Sequence, residues 1–144
     1  MKKLYDVMDK QVANLSVLFT KLHHYHWFVK GPSFYTLHEK FEELYDEINE
    51  LYDEVAERLI TIGGHPSSTL KAYLAKTSLE EASTIDDAKT MVKHVINDLK
   101  LLTIEFKEAI VLAQEVEDEG TADLFIGATA NLEKHIWMLS YTIA

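Results

Sequence analysis

The sequence HWFVKGPSFYTLHEKFE, residues 26–42, reverses the chain between two stretches of helical pattern. A Lys-Gly-Pro tripeptide ending at Pro32 breaks the first stretch, and Ser33 can cap the helix that follows. His26 lies six residues before Pro32 and His38 six residues after it. In an antiparallel hairpin both stand roughly 9 Å from the bend, at ~1.5 Å per residue, so the two imidazoles can face each other.

Apolar residues recur at steps of three and four along four long stretches, which predicts four long helices. They cover about residues 4–29, 34–62, 86–116 and, after an N-cap at Thr121, up to residue 141. A more broken segment predicts one short helix near residues 69–75. This pattern predicts an all-α, ferritin-like four-helix bundle with a short helix in the crossover between the second and third long helices. We expect residues 1–144 to form a single domain of this kind.

Composition narrows the possible functions. The chain has no cysteine, so disulfides, thiol nucleophiles and thiolate metal sites are excluded. No signal-peptide core follows the N-terminal lysines, and no apolar run approaches the ~18 residues of a membrane span. We therefore expect a cytoplasmic protein. The formal net charge of −10 favours cation binding and opposes contact with nucleic acid.

The second long helix has three faces when residues are placed at ~100° intervals. One face is the apolar core stripe, and another is acidic and is typical of a solvated surface. The remaining face mixes tyrosines and small residues with metal-ligand types, which is typical of a contact between chains. This mixed stripe comprises His38, Glu42, Tyr45, Asn49, Tyr52, Asp53 and Ala56.

Two imidazoles and a carboxylate form a candidate half-site for a divalent metal. Glu42 lies one helical turn beyond His38 and can join the pair that His38 makes with His26. Histidines between helices also serve as hydrogen-bonded packing residues, and spacing alone leaves both interpretations open. Intrasubunit di-iron bundles use Glu-x-x-His motifs, and no histidine of this chain follows a glutamate by three residues.

Asp53 and Glu57 form an i, i+4 pair of carboxylates farther along the same helix. Asp53 is fifteen residues from His38, roughly 22 Å away, so one chain cannot bring both to one ion. Two copies packed antiparallel about a two-fold axis near residues 47–48 would place the acids of one beside the histidines of the other. The contact-like stripe and the divided ligand set then share one explanation.

The stretch HWFVKGPSFYTLHEKFEELYDE at 26–47, continued by DEVAER at 53–58, resembles the signature of the Dps proteins, the bacterial mini-ferritins. The resemblance extends to KLHHYHW at 21–27 and LEKHIWML at 132–139. It implies a hollow homododecamer that oxidises Fe(II), preferentially with hydrogen peroxide, and stores the ferric mineral. The implied ferroxidase centre lies between subunits, with one or two irons, and Trp27 lies near it. Its implied ligands are His26, His38 and Glu42 of one subunit with Asp53 and Glu57 of the neighbour.

The resemblance also suggests roles for other acidic residues. One group could face the cavity and nucleate mineral, although simple solvation explains it as well: Glu39, Glu43, Asp46 and Glu50. Another group could line a pore for iron: Asp118, Glu119 and Asp123, of which Asp123 is the preferred candidate. The alternative for Asp123 is a favourable interaction with the dipole of the last helix.

The sequence leaves two alternative functions. Some Dps proteins coat DNA through lysine-rich tails, but here only Lys2 and Lys3 precede the first helix and the C-terminal MLSYTIA has no basic residue. Twelve chains would multiply the net charge of −10, which opposes a polyanion. The other alternative is a bundle that only oligomerises, with structural histidines. We expect His94 and His135 to be packing residues, and the sequence gives no partner for His23 or His24.

Overall fold

The computed structural model describes residues 1–82, 84 and 86–144. These residues contain five helices and no β-strand. The helices are α1 (Lys2–Phe28), α2 (Phe34–Thr61), α3 (Leu70–Lys76), α4 (Ala88–Glu115) and α5 (Glu119–Thr142). The predicted all-α bundle, with a short helix in the crossover, is confirmed.

The predicted N-cap of the last helix is wrong. α5 begins two residues earlier than Thr121, and its N-cap is Asp118. The Asp118 carboxylate accepts hydrogen bonds from the backbone N–H of Thr121 at 3.1 Å and from its hydroxyl at 2.5 Å. Thr121 therefore donates to the cap instead of forming it, and the aspartate satisfies one of the free amides at the helix start.

Two glycines allow the chain to turn at the ends of α2. Gly31 has φ of +112° and Gly63 has φ of +101°, which are conformations that side chains disfavour. A Cβ at Gly63 would also come within 3.0 Å of the Tyr5 hydroxyl. The reversal at Gly31 brings the last turn of α1 beside the first turns of α2, and this juxtaposition builds the candidate site below.

The helices pack as two hairpins around one apolar core. α1 lies against α2 and against α4, α4 lies against α5, and α3 covers part of α1. The largest fully buried side chains include Tyr25, Phe41, Phe106 and Phe125. Along the α2–α5 side a groove of about 500 Å³ remains, and polar side chains from both helices line its rim. Within the described part of the chain, each helix is either too short or too polar to traverse a lipid bilayer.

The crossover is attached to α1 by one buried and one half-buried polar side chain. The Asn14 side-chain carbonyl accepts hydrogen bonds from the Thr77 hydroxyl and the Ser78 amide, both at 2.8 Å. The Asp9 carboxylate accepts from the amide of Ser67 at 2.6 Å. Polar residues at core-facing positions of α1 therefore satisfy the backbone and hydroxyl groups of the crossover.

Candidate metal centre

His26 and His38 face each other across the α1–α2 hairpin, as the spacing predicts. Their rings stack with centroids 3.7 Å apart at an interplanar angle of 11°. The Nδ1–H of His26 donates to the backbone carbonyl of His38 at 2.7 Å, and that of His38 donates to the carbonyl of His26 at 2.8 Å. Each histidine thus orients the other through the last turn of α1 and the second turn of α2.

These reciprocal hydrogen bonds decide which ring nitrogen is available. A carbonyl oxygen can only accept, so in the neutral ring each Nδ1 carries the proton and each Nε2 keeps its lone pair. Within the described residues neither Nε2 takes part in a hydrogen bond. A backbone carbonyl on the remote nitrogen is the arrangement that commonly orients a metal-ligating histidine.

Glu42 lies beside this pair but is loosely held. Its Oε1 is 3.9 Å from the Nε2 of His26 and 3.5 Å from the hydroxyl of Tyr45, and its side chain is 55% exposed. Partial burial, then the nearby carboxylates of Glu42 and Asp46, raise the pKa of Tyr45, so its phenol stays protonated and able to donate. No role for His23 was predicted from the sequence, yet its ring stacks on that of Tyr45 with the centroids 3.7 Å apart. Its position three residues before His26, on the same face of α1, is the signal that could have identified it.

The carboxylates assigned to a neighbouring chain are on the surface of this one. Asp53 and Glu57 are both exposed on α2. Trp27, beside the histidine pair, is 65% exposed and its ring lies 5.5 Å from that of His23. Part of the predicted contact stripe is already covered within the subunit, because the hydroxyl of Tyr52 lies 2.6 Å from that of Tyr73 in α3.

Two of the pore candidates, Asp118 and Asp123, differ in the contacts of their side chains. Asp118 caps α5 and forms an ion pair with Arg58 at 2.8 Å. Partial burial raises its pKa, but the hydrogen bonds from Thr121 and the Arg58 guanidinium outweigh this and hold the pKa of Asp118 below its usual value. Asp123 is exposed, and it lines both the α2–α5 groove and a shallow depression that also contains Glu57.

A second group of ligand-type side chains lies between α2 and α5. One ligand atom from each of Glu43, Glu47 and His135 lies within 4.8 Å of the other two, and this is the one three-residue group of that compactness among the described residues. The Nε2 of His135 is 2.6 Å from Glu47 Oε2, and the Nδ1 of His135 is 3.0 Å from the Lys40 ammonium. His135 is buried, as expected of a packing residue, but the sequence missed its charged partners.

The other histidines and acids have local surroundings. His94 is not a buried packing residue: its side chain is 46% exposed, and Nδ1 lies 3.2 Å from the Tyr25 hydroxyl and 3.5 Å from the carboxylate of Asp86. His24 Nε2 is 3.2 Å from the backbone carbonyl of Thr84. The remaining acidic candidates are exposed: Glu39, Asp46, Glu50 and Glu119.

Known proteins share both the sequence and the fold. The Ferritin-like domain model matches residues 5–144. The chain is 50% identical over 138 residues to DNA protection during starvation protein 2 of Bacillus anthracis, covering 96% of this chain and 94% of that protein. It belongs to the Dps family. Dps from Staphylococcus aureus has the same fold with a TM-score of 0.97 and 38% identity, over 100% of this chain and 97% of the other.

A Listeria innocua Dps with two histidine-to-glycine substitutions also matches, with a TM-score of 0.94 and 39% identity over 97% of this chain and 93% of the other. Dps membership and the ferritin-like fold support a role in iron storage and stress protection. The imidazole and carboxylate groups described above are the types of side chain that bind iron.

Proposed function

We propose that this protein is a ferroxidase that oxidises Fe(II) with hydrogen peroxide and stores the ferric product inside a hollow homododecamer. The observation that carries the proposal is the reciprocal hydrogen bonding of His26 and His38, which leaves two Nε2 lone pairs, that of His26 at 3.9 Å from Glu42. Iron is the substrate here. Imidazole and carboxylate bind Fe(II) and also stabilise Fe(III), so the donor set favours the oxidised product.

The reaction requires two electrons for each peroxide. One hydrogen peroxide takes one electron from each of two Fe(II) ions together with two protons, and yields two water molecules and two Fe(III). Holding two irons near one peroxide avoids single-electron reduction, which would release hydroxyl radical. Trp27, exposed beside the histidine pair, is positioned to give up an electron to a stray radical if one forms.

The centre we propose is shared between two subunits. Asp53 and Glu57 complete the ligand set from the two-fold neighbour, because their own chain keeps them too far from His38. Their exposure and that of Trp27 support an interface on this face. The two histidines substituted in the Listeria innocua protein are twelve residues apart, which is the separation of His26 and His38. One or two irons per shared site are consistent with this ligand set, since Glu42 is long and loosely held.

Acidic side chains would serve iron uptake and mineral growth. We propose Asp123 as the main pore residue, because it is exposed and is shared by the linings of two surface depressions. Asp118 would border the same pore but contributes chiefly to the α5 cap. The exposed acids on α2 would nucleate mineral on the cavity wall: Glu39, Glu43 and Asp46.

Protection of DNA needs no contact with DNA in this proposal. Consuming Fe(II) and peroxide together removes the reagents that damage it. The net charge of −10 per chain opposes binding to a polyanion. We expect no gel retardation of duplex DNA at physiological salt without added cations.

Anaerobic Fe(II) titration tests the proposal. The assembled protein should saturate at one or two irons per subunit before oxidant is added, and then consume about half a peroxide per iron. Light scattering on the same sample should give the mass of twelve chains. A monomer, or saturation that is unchanged in a His26→Ala/His38→Ala variant, would refute the proposal.

A further inference from the structure

We propose that Glu43, Glu47 and His135 form a second divalent-metal site, held within one subunit, and that the Lys40 ammonium occupies it as a resident cation until metal displaces it. The inference rests on the proposed function only for the identity of the natural metal as iron. Its ligands are separate from the His26/His38 centre and do not require a neighbouring chain.

The three ligand atoms converge from two helices. Glu43 and Glu47 are four residues apart on α2, so their carboxylates share one face, and His135 reaches them from α5. His135 is only 3% exposed, which fixes its ring between the helices. One nitrogen and two carboxylates are a donor set for Fe(II), Mn(II), Co(II) or Zn(II).

Lys40 explains how this cluster is satisfied without metal. Its ammonium lies 3.0 Å from His135 Nδ1 and 3.3 Å from Glu43 Oε2. An ammonium only donates, so Nδ1 accepts and the ring proton is on Nε2, where it is donated to Glu47 at 2.6 Å. The nitrogen that would bind metal is therefore blocked by a proton.

Departure of Lys40 would open the site. Without the ammonium at Nδ1, the ring proton can sit on that nitrogen, and the Nε2 lone pair then faces Glu47, whose carboxylate lies within 4.8 Å of a ligand atom of Glu43. The positive charge of the metal would replace that of Lys40 beside Glu43. Asn131 would hold Glu47 in place, since its amide donates to Glu47 Oε2 at 3.0 Å.

The α2–α5 groove gives the cluster a route from solvent. Glu47 and Asn131 line the groove near the cluster, and Asp123 lines it toward the start of α5. Glu54 and Asp123 also line the adjoining depression, so acidic side chains continue along this path. A cation that passes Asp123 could thus reach Glu47 along a carboxylate-lined surface.

The test uses zinc alone, bound anaerobically by the assembled His26→Ala/His38→Ala protein. In that background Lys40→Met should tighten zinc binding about tenfold or more, because it removes a positive charge a few ångströms from the metal. Lys40→Gln is a second neutral variant with the same expectation. Lys40→Arg keeps the charge and should leave affinity within about twofold. Lys107→Met, which removes an exposed lysine paired with Glu133, is the matched control and should change nothing.

Adding Glu47→Gln to Lys40→Met should abolish the gain, and anomalous diffraction should show zinc between the three ligands. Equal affinity in the neutral and arginine variants, or zinc bound elsewhere, would overturn the inference. The outcome does not depend on ferroxidation. If His26→Ala/His38→Ala leaves iron oxidation intact, the proposed function fails while the zinc comparison still decides this site.

Discussion

The histidine pair of the α1–α2 hairpin and His135 between α2 and α5 are both beside glutamates, yet they are prepared for different tasks. At His26 and His38 each Nδ1 faces a carbonyl, which accepts a hydrogen bond from Nδ1–H and leaves Nε2 free. At His135 the same nitrogen faces an ammonium, which donates and forces the proton onto Nε2. The partner of the remote nitrogen, more than the presence of histidine and glutamate, determines whether the site can bind metal directly.

Removing the histidine pair, His26 and His38, should have the largest effect on the oxidation of Fe(II). His26→Ala/His38→Ala deletes the two free Nε2 ligands, so the initial rate of peroxide-dependent Fe(II) oxidation should fall about a hundredfold or more. Stopped-flow absorbance of Fe(III) formation measures it. His65→Ala, at an exposed loop histidine, is the control and should retain the wild-type rate. A loss smaller than about threefold in the double variant would place the chemistry elsewhere.

Neutralising one glutamate at each site should change the free energy of unfolding by different amounts. Glu47→Gln weakens the hydrogen bond to buried His135 and should lower the free energy of unfolding by about 1–3 kcal/mol. Glu42→Gln should change it by less than about 0.5 kcal/mol, because Glu42 is exposed and makes only loose contacts. Denaturant unfolding at fixed protein concentration measures both. A larger loss of stability in Glu42→Gln than in Glu47→Gln would contradict this expectation.

Asp118 extends the comparison to a carboxylate fully engaged within its subunit. Asp118→Asn should destabilise the protein by about 1 kcal/mol at neutral pH through a weaker cap and a lost ion pair. Because the folded pKa of Asp118 is below its ordinary value of 3.8, its carboxylate stabilises the fold above that value. The stabilisation is lost as the pH falls through the lower folded pKa. The difference in unfolding free energy between wild type and variant should therefore shrink below pH 3.8, and a constant difference would contradict this.

Tyr45→Phe should give the smallest effect. It removes a hydroxyl 3.5 Å from Glu42 while keeping the ring that stacks on His23. The iron concentration for half-maximal rate should rise about two- to fivefold with little change in the maximal rate, because only the orientation of Glu42 is affected. Tyr141→Phe, at an exposed tyrosine of α5, is the matched control. Equal kinetics in the two variants would show that the Tyr45 hydroxyl does not orient Glu42.

Local rules predicted the bundle and the meeting of His26 with His38. Apolar steps of three and four determine which face of each helix is buried, and a short break before α2 forces the hairpin. Those two facts suffice to bring residues equidistant from the bend together. The N-cap at Asp118 was missed because the preceding acidic run offers several candidates, and the long-range contact with Arg58 helps to select one.

The partners of His135 could not be predicted in the same way. They come from helices whose relative register is set by packing of the whole bundle, and no turn links α2 to α5 directly. The tautomers depend on individual donors and acceptors a few ångströms away, which periodicity does not specify. His135 and Asn131 are four residues apart on α5, and this spacing marks a shared face without naming what lies opposite.

Subunit complementation tests the shared centre most directly. Shells would be assembled from equal amounts of two inactive variants, His26→Ala/His38→Ala and Asp53→Asn/Glu57→Gln, and Fe(II) oxidation measured. If histidines of one chain work with acids of its neighbour, each mixed two-fold pair contains one intact site, and random mixing should restore about a quarter of wild-type activity. A mixture as inactive as either variant alone would contradict the account.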